Sequence, residues 1–332
     1  MKNKWGFITP PKNSFAGLPV CTNLDELEAD IAVIGTHYIS SYPNDFPLKY
    51  GPDRVELASD TIRFQSTVYK GNLNHFDFNF NSTLLEGKDI RIVDCGDVDY
   101  GTVASKQTPE HITEAVRAVL DRGAVPFVIG TDEGGLIPVL RAHEGRDKST
   151  GSICVIHFDA HIDWKDENEG VREGYSSGMI RASEMSCVGS MAQIGLRGMG
   201  SAGQKEVDNA SAFGSVFISS RDVHEKGVAA CLGRIPRAEK YFITIDSDVL
   251  DIAIAPGVLF PSPGGLTFDE ISGITRGIAD KGIIAGINLF EVRPERDINN
   301  ITSSTAAYFI VNFFGILLRS GQVQNMARIS DS

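Results

Sequence analysis

Eight short apolar runs rich in β-branched residues recur along the chain, with stretches of helical periodicity between them. This alternation is the signature of repeated β-α-β units, whose helices carry the chain back so that successive strands lie parallel. The sequence therefore predicts an α/β fold built on one doubly wound sheet. The predicted strands cover residues 30–37, 90–95, 124–130, 152–158, 191–196, 215–220, 240–246 and 283–291.

Composition is that of an ordinary globular chain, with 42% hydrophobic and 22% charged residues among 332. No run approaches the ~20 continuous apolar residues that span a bilayer. No apolar segment follows the amino-terminal lysines, as it would in a secretory signal. We therefore expect a cytoplasmic protein that makes no use of a membrane. The five cysteines never stand in CxxC spacing, which argues against a disulfide framework or a thiolate zinc site.

The net charge of -12 bears on the partners of the chain. Lysines and arginines are scattered, so the sequence lacks the basic stripe that binds phosphate backbones, and nucleic acid is not an expected partner. An acidic balance suits a cationic substrate or a bound metal ion, and it equally suits solubility alone.

Acidic side chains follow two of the predicted strands. Asp159, His161 and Asp163 alternate after one strand, and Asp246 and Asp248 alternate at the end of another. In extended backbone a period of two places alternate side chains on the same side. Carboxylates gathered in this way would repel one another unless divalent metal neutralised them. For any single aspartate the alternative is a turn-forming or capping role.

Carboxylate-rich, histidine-poor coordination suits manganese or a similar dication, whereas structural zinc sites prefer cysteine and histidine. Two bridging carboxylates can hold a pair of ions that generates a nucleophile at neutral pH. The pattern therefore predicts a site for two divalent ions at the strand ends.

Several segments resemble signatures of the ureohydrolases, the arginase and agmatinase family. The resembling segments are GPDRVELAS at 51–59, DCGDV at 94–98, FDAHIDW at 158–164, ITIDSDVLDIAIAPG at 243–257, PSPGGLT at 261–267, EVRP at 291–294 and TSSTAAYFIVNFFGIL at 302–317. The resemblance implies an arginase-like three-layer α/β sandwich with an eight-stranded parallel sheet, usually assembled into trimers or hexamers. It also implies hydrolysis of a guanidinium group at a binuclear manganese site, or a nickel site as in some relatives.

The resemblance further implies roles for individual residues. Asp159 and Asp246 would bridge the two ions, Asp163 would bind one ion, and His161 and Asp248 would bind the other. By the same resemblance, Glu291 would face the guanidinium of a small cationic substrate, which agrees with the pairing of a carboxylate with a planar cationic fork. Asp163 would also shuttle a proton to the leaving amine. The site would release urea or a substituted urea through a metal-activated hydroxide.

Three departures from the family pattern fall in the same region. Glu133 stands where the GGDHS motif supplies a histidine ligand, so it is either a sixth ligand or no ligand at all. Ser177 precedes Gly178 where arginases and agmatinases have a histidine that assists turnover. In APGVLFPSPGG the usual small residues are replaced by bulkier ones, among them Phe260. This change predicts either an apolar wall for an alkylated guanidine or biguanide, or relaxed selection on catalysis.

Some neighbouring signals have competing interpretations. Trp164 either lines the pocket or packs in the core, and His157 is expected to pack or to support the metal ligands. The charged stretch from Arg293 to Asp297 is most simply a solvated or subunit-facing loop. A literal GxGxxG at 198–203 falls mid-chain, away from the first strand that a dinucleotide fold would use, so it is discounted.

Two functions remain open from the sequence. The first is a metal-dependent amidinohydrolase acting on a guanidino or biguanide compound. The second is a catalytically impaired chain that supports a catalytic paralogue in a hetero-oligomer, like the two related chains of metformin hydrolases. We expect one domain over 29–322, preceded by an arm over 1–28 that covers a neighbouring subunit's site and followed by a tail over 323–332.

Overall fold

The computed structural model describes residues 4–43, 57–101, 106–146, 150–200 and 202–323. Within these residues a nine-stranded sheet has the order β1-β5-β2-β6-β11-β10-β7-β8-β9. Its strands are β1 (Ile8–Thr9), β2 (Ile31–Thr36), β5 (Ile92–Val98), β6 (Val125–Gly130), β7 (Ile153–Phe158), β8 (Val188–Leu196), β9 (Val216–Ser219), β10 (Lys240–Asp246) and β11 (Ile283–Phe290). A separate hairpin pairs β3 (Phe76–Asp77) with β4 (Ser82–Thr83).

Eight of the nine strands are parallel, and they are the eight that the apolar runs predict. The ninth, β1, is a two-residue strand that pairs antiparallel with β5, so the predicted count of eight omitted it. A strand so short carries no readable alternation, which is why the sequence pattern did not reveal it. By pairing with β5 it covers one edge of the sheet.

Helices cover both faces of the sheet. They are α1 (Ala58–Ser66), α2 (Thr108–Asp121), α3 (Leu136–Arg141), α4 (Gly178–Ser183), α5 (Gln204–Phe213), α6 (Ser220–Arg234), α7 (Phe268–Ala279) and α8 (Ile301–Arg319). Alternate residues of each strand serve opposite faces: Ile31 and Val33 join one apolar core, and Ala32 and Ile34 join the other. The predicted three-layer sandwich is confirmed.

Helix α8 is long and apolar enough to cross a membrane by length and composition. In this fold, however, 78% of its apolar stretch is buried inside the molecule. Phe309, Phe313 and Phe314 pack in the core that also contains α1 and α7. An all-round apolar helix is expected where a helix is enclosed by its neighbours, so α8 is a core helix here.

The described part of the predicted arm packs on its own chain. Trp5 and Phe15 are both buried, and β1 belongs to the sheet. The proposed boundaries at 28/29 and 322/323 stay a prediction, as does the covering of a neighbouring subunit's site. Residues 1–3, 324–332 and the GPDRVE part of the GPDRVELAS segment lie outside the described residues.

A buried ion cluster, formed by Arg63, Asp94 and Asp97, joins α1 to the β5 edge of the sheet. The Arg63 guanidinium donates to both carboxylates at 2.7 to 3.0 Å and to the Gly96 carbonyl at 3.1 Å. A Cβ at Gly35 of the neighbouring strand β2 would overlap Asp97 Oδ1. Glycine is therefore required at this position for the buried ion cluster to form.

Candidate metal centre and its cavity

The polar motifs follow four strands that are neighbours in the middle of the sheet, in the order β6, β11, β10 and β7. Although β6 and β7 are consecutive parallel strands in the chain, β10 and β11 lie between them. This is a switch point in strand order, where a crevice opens outside the carboxyl ends of the strands. The residues at or just after the ends of these four strands are Glu133, Glu291, Asp246, Asp248, Asp159, His161 and Asp163.

Ligand atoms of Glu133, His157, Asp159 and Asp163 lie within 4.8 Å of one another. Asp159, His161 and Asp248 form a second group of the same tightness. Asp159 belongs to both groups, so its carboxylate lies where it can serve two ions. Asp246 belongs to neither group, but its side chain lines the same cavity.

His161 is bound by two carboxylates of the second group. Its Nδ1 lies 3.2 Å from Asp159 Oδ1 and 3.1 Å from Asp248 Oδ2. Burial lowers the pKa of His161, but the hydrogen bonds to both carboxylates outweigh it and raise the pKa to about 11. In the absence of metal, this imidazolium compensates part of the negative charge.

His157 lies within the first group and was not predicted as a ligand. Its Nε2 lies 2.9 Å from both Glu133 Oε1 and Asp159 Oδ2. Gln193 Nε2 donates to the Ile162 carbonyl at 2.8 Å and lies 3.1 Å from His157 Nδ1. Because that amide nitrogen is a donor, Nδ1 accepts, and the ring proton lies on Nε2, facing the carboxylates. In this arrangement His157 donates to metal ligands and does not coordinate, as the expected supporting role requires.

Burial and mutual repulsion raise the pKa of most acids in the cluster. The pKa values of Glu133, Asp163 and Asp246 lie well above their usual range, because each is buried beside other carboxylates. The same causes raise the pKa of Asp248 to about 6. Asp159 is the exception: its burial is outweighed by His157 and His161, which hold its pKa well below normal.

Two observations test whether divalent ions fit this cluster. Glu133 Oε2 is buried and lacks a hydrogen-bond partner within the described part of the chain. An orphaned buried carboxylate oxygen is costly unless a cation satisfies it. The donor set of carboxylates with the single imidazole of His161 suits a hard or borderline dication. The residues therefore fit a pair of divalent ions.

Glu291, at the end of β11, is buried, lines the cavity and is held from two sides. Its Oε1 accepts from the Glu133 backbone N–H at 3.0 Å. Its Oε2 accepts from Arg293 Nε at 3.2 Å and from Arg293 Nη2 at 3.1 Å. Burial raises the pKa of Glu291 to about 8, against the lowering effect of Arg293.

The sequence predicts that Arg293 belongs to a solvated or subunit-facing loop, but in the structure this residue is buried. Its side chain is 0% exposed and lies against Glu291. Sequence reasoning missed this contact because a charged stretch carries no sign of which member turns inward. The i, i+2 spacing from Glu291 was the available signal.

Both predicted catalytic residues have a strained backbone conformation. Asp163 has a φ of 42° and Glu291 a φ of 62°, both in the left-handed region that non-glycine residues rarely adopt. Such strain persists only where surrounding contacts fix the conformation, and it is common at functional sites. Around Asp163, the Met179 N–H donates to its carbonyl at 3.2 Å.

The turn that carries Glu133 is fixed by Asp132, another residue that the sequence did not single out. Its carboxylate accepts from the Ser40 N–H at 2.8 Å, the Ser40 hydroxyl at 2.7 Å and the Gly134 N–H at 2.8 Å. An aspartate that binds backbone N–H groups two residues on is a common turn device. It positions Glu133 against the β7 ligands.

These acids open into a cavity of about 520 Å³. We call its acidic residues and His161 the inner cavity: they are Glu133, His161, Asp163, Asp246, Asp248 and Glu291. We call its other lining residues the outer cavity: they are Lys165, Asn168, Tyr175, Ser176, Met199, Gly200, Leu259, Phe260, Pro261 and Ser262. Phe260, 51% exposed, lies with its ring 6.1 Å from Tyr175 and 6.3 Å from His161. Phe260 therefore lines the cavity, and its contact with substrate stays a prediction.

Two of the predicted substrate-binding residues are not among the cavity-lining residues. Trp164 is buried in the core and packs against Phe213, with ring centroids 5.9 Å apart. Ser177 is fully buried at the start of α4, and its neighbour Ser176 lines the cavity instead. Backbone direction at a turn decides which side chain faces the cavity, and sequence spacing does not encode it.

Comparison with known proteins gives consistent matches over nearly the whole chain. The arginase family model matches residues 31–315. Agmatinase of Citrobacter koseri is 26% identical over 298 residues, covering 88% of this chain and 89% of that protein. The fold is similar to proclavaminate amidino hydrolase from Streptomyces clavuligerus, with a TM-score of 0.76, 23% identity, and 95% and 99% of the two chains covered. It is also similar to Trypanosoma cruzi formiminoglutamase with Mn²⁺, with a TM-score of 0.74, 20% identity, and 92% and 98% coverage.

Proposed function

The chain belongs to the arginase family, whose members are hydrolases, and from that premise we propose that it cleaves a guanidino C–N bond with two bound divalent ions. The observation that carries the proposal is the convergence of four strand ends on one cavity. There Asp159 is shared by two ligand groups, and Glu133 keeps a buried oxygen that has no hydrogen-bond partner in the described part of the chain. The six residues proposed to hold the ions are Glu133, Asp159, His161, Asp163, Asp246 and Asp248.

When bound, the ions would lower the pKa of a water molecule and stabilise negative charge that develops during hydrolysis. Glu291 receives the substrate guanidinium, because its carboxylate faces the cavity and offers acceptors to a planar cation. Arg293 and the Glu133 N–H hold that carboxylate in one orientation. The strained Asp163 lines the same cavity, and its carboxylate would take a proton from the attacking water and pass it to the leaving amine.

Manganese is the ion we propose first, because oxygen ligands predominate, and nickel is the alternative. A biguanide substrate is a finer prediction that rests on the apolar wall of Leu259 and Phe260 alone. Assembly into trimers or hexamers, with itself or with a paralogous chain, is likewise carried over from the family.

A second candidate function is the catalytically impaired supporting subunit. Two contacts favour it. His157 occupies one oxygen of Glu133, and the chain's own Arg293 guanidinium already sits on Glu291. A chain in which both contacts persist with metal present would bind neither the full ion pair nor a substrate guanidinium.

Metal content and urea release distinguish the two functions. We would purify the chain alone after expression with Mn²⁺ or Ni²⁺, measure bound metal, and assay agmatine, arginine, guanidino acids and dimethylbiguanide. The proposal expects close to two equivalents of metal and urea release by the chain alone. Asp246→Asn and Glu133→Gln should each lose both the bound metal and the urea release, whereas the exposed control Asp280→Asn should keep them. No bound metal, with activity only beside a related chain, would refute it in favour of the supporting subunit.

A further inference from the structure

The cavity has two parts of opposite electrostatic character. All its acidic side chains, Glu133, Asp163, Asp246, Asp248 and Glu291, belong to the inner cavity and are buried. The outer residues that line it are neutral, with the exception of Lys165. Among the described residues, the outer cavity therefore offers a single fixed charge, and that charge is positive.

Lys165 is not neutralised by the acidic segment that follows it. Asp166 pairs with Arg172 at 3.0 Å and also with Arg181. Glu173 pairs with Arg141 at 2.8 Å. Within the described chain no acidic side chain lies in ion-pair distance of Lys165, so its ammonium is available to a ligand.

The backbone of Lys165 is anchored close to the chemistry. Its N–H donates to the Ser176 carbonyl at 3.0 Å, and it follows the strained Asp163 by two residues. The lysine therefore extends from the same turn that carries a proposed metal ligand. A molecule whose guanidinium lies on Glu291 would extend past Tyr175 and Phe260, whose rings lie 6.1 Å apart and form an apolar wall.

Resting on the proposed function, we propose that the substrate is a guanidino acid: its guanidinium binds Glu291 and its distal carboxylate pairs with Lys165. The aromatic wall contacts the methylene spacer between the two charged ends. An amine tail such as that of agmatine finds no carboxylate among the described residues of the outer cavity and is repelled by Lys165. Lys165 is thus a specificity-determining residue.

The test compares 4-guanidinobutyrate with agmatine on the metal-loaded protein. These two molecules share a guanidinium and differ in the sign of the distal charge. We expect a higher kcat/KM for the acid. Lys165→Met should raise KM for the acid about 2- to 5-fold, as the loss of one partly solvated ion pair would. Its effect on kcat should be small, and Lys165→Glu should shift the preference towards agmatine. Lys205→Met, at an exposed lysine on α5, is the matched control.

Calorimetric binding of the same two compounds separates this inference from the proposed function. If the acid binds without being turned over, and Lys165→Met weakens that binding, the proposed catalysis is refuted and the role of Lys165 is supported. Turnover with equal preference for acid and amine, or with a preference that Lys165→Met leaves unchanged, overturns the role of Lys165. If neither compound binds, the proposed role of Lys165 is overturned as well.

Discussion

Arg293 offers the most direct test of how this site is built. Its guanidinium lies fully buried against Glu291, with two hydrogen bonds to Oε2 at 3.1 and 3.2 Å, and it also acts on the nearby charge of Asp132. Arg293→Met keeps most of the side-chain volume and removes the charge. Glu291 and Asp132 then remain buried without their cation.

The expected cost in stability follows from that burial. Removing one partner of a buried ion pair costs about 3–5 kcal/mol, because the remaining charge stays desolvated and unpaired. We therefore expect the free energy of unfolding to fall by about that amount in urea denaturation of the metal-loaded protein. The matched control, Arg237→Met at an exposed arginine, should change it by about 0.5 kcal/mol or less.

The same variant should weaken substrate binding. Without Arg293 the pKa of Glu291 rises further above about 8, so ionising the carboxyl to form its charge-assisted bond to a guanidinium costs more free energy. Such a bond is worth about 1.5–3 kcal/mol, which corresponds to a rise in KM of about 10- to 150-fold. Unchanged stability together with unchanged KM would refute this reasoning. A fall in KM would also refute it, because it would mean that Arg293 competes with substrate for Glu291.

Three further predictions concern the metal site and the fold. In metal-free protein, folding raises the pKa of Glu291 from 4.5 to about 8 and that of Asp248 from 3.8 to about 6. Protonation of these two groups therefore stabilises the folded state fully below about pH 4, and this stabilisation is lost as the pH rises to about 8. The Tm after chelation should therefore fall between about pH 5 and 8 and be restored by Mn²⁺, and a Tm that rises over this range would contradict the prediction. Gln193→Leu should lower metal affinity about 10- to 100-fold in a competition titration, because the ring proton of His157 is then no longer fixed on Nε2, where it faces the ligands. Unchanged affinity would show that the tautomer of His157 has no effect on the ligands. Gly35→Ala should lower the free energy of unfolding by about 3–5 kcal/mol, since the added Cβ displaces a carboxylate of the buried ion cluster, and a native-like urea midpoint would contradict this.

The strands were the most predictable part of this protein. Each parallel strand coincides with a predicted apolar run to within three residues at either end, for example 240–246 against Lys240–Asp246. A central parallel strand is buried on both faces, so its run of apolar residues is nearly continuous and easily recognised. The capping box at Thr267 and Glu270 likewise forms as its spacing predicts, because the contact is local.

The motif acids were recognisable for a similar reason. Period two in DAHID and in DSD is a local property, and these residues follow their strands as the pattern indicates. A local pattern does not predict which strands become neighbours in the sheet. The order β6-β11-β10-β7 brings together motifs that are separated by more than a hundred residues along the chain.

Side-chain direction at the turns was decided by tertiary structure alone. Trp164 and Ser177 belong to the right segments but turn into the interior, while Lys165 and Ser176, one residue away, line the cavity. The backbone at these turns departs from regular strand geometry, as the positive φ of Asp163 shows, so a residue's parity no longer gives its direction.

By itself, the sequence of this protein determined the eight parallel strands, the α/β class and the positions of the acidic motifs, because each depends on periodicity within a short segment. Only the tertiary structure decided the burial of Arg293 against Glu291, the proton position on His157 and the placement of Lys165 in the outer cavity. These features depend on contacts between distant segments, and the energies of buried charges and hydrogen bonds are set by all the groups that surround them.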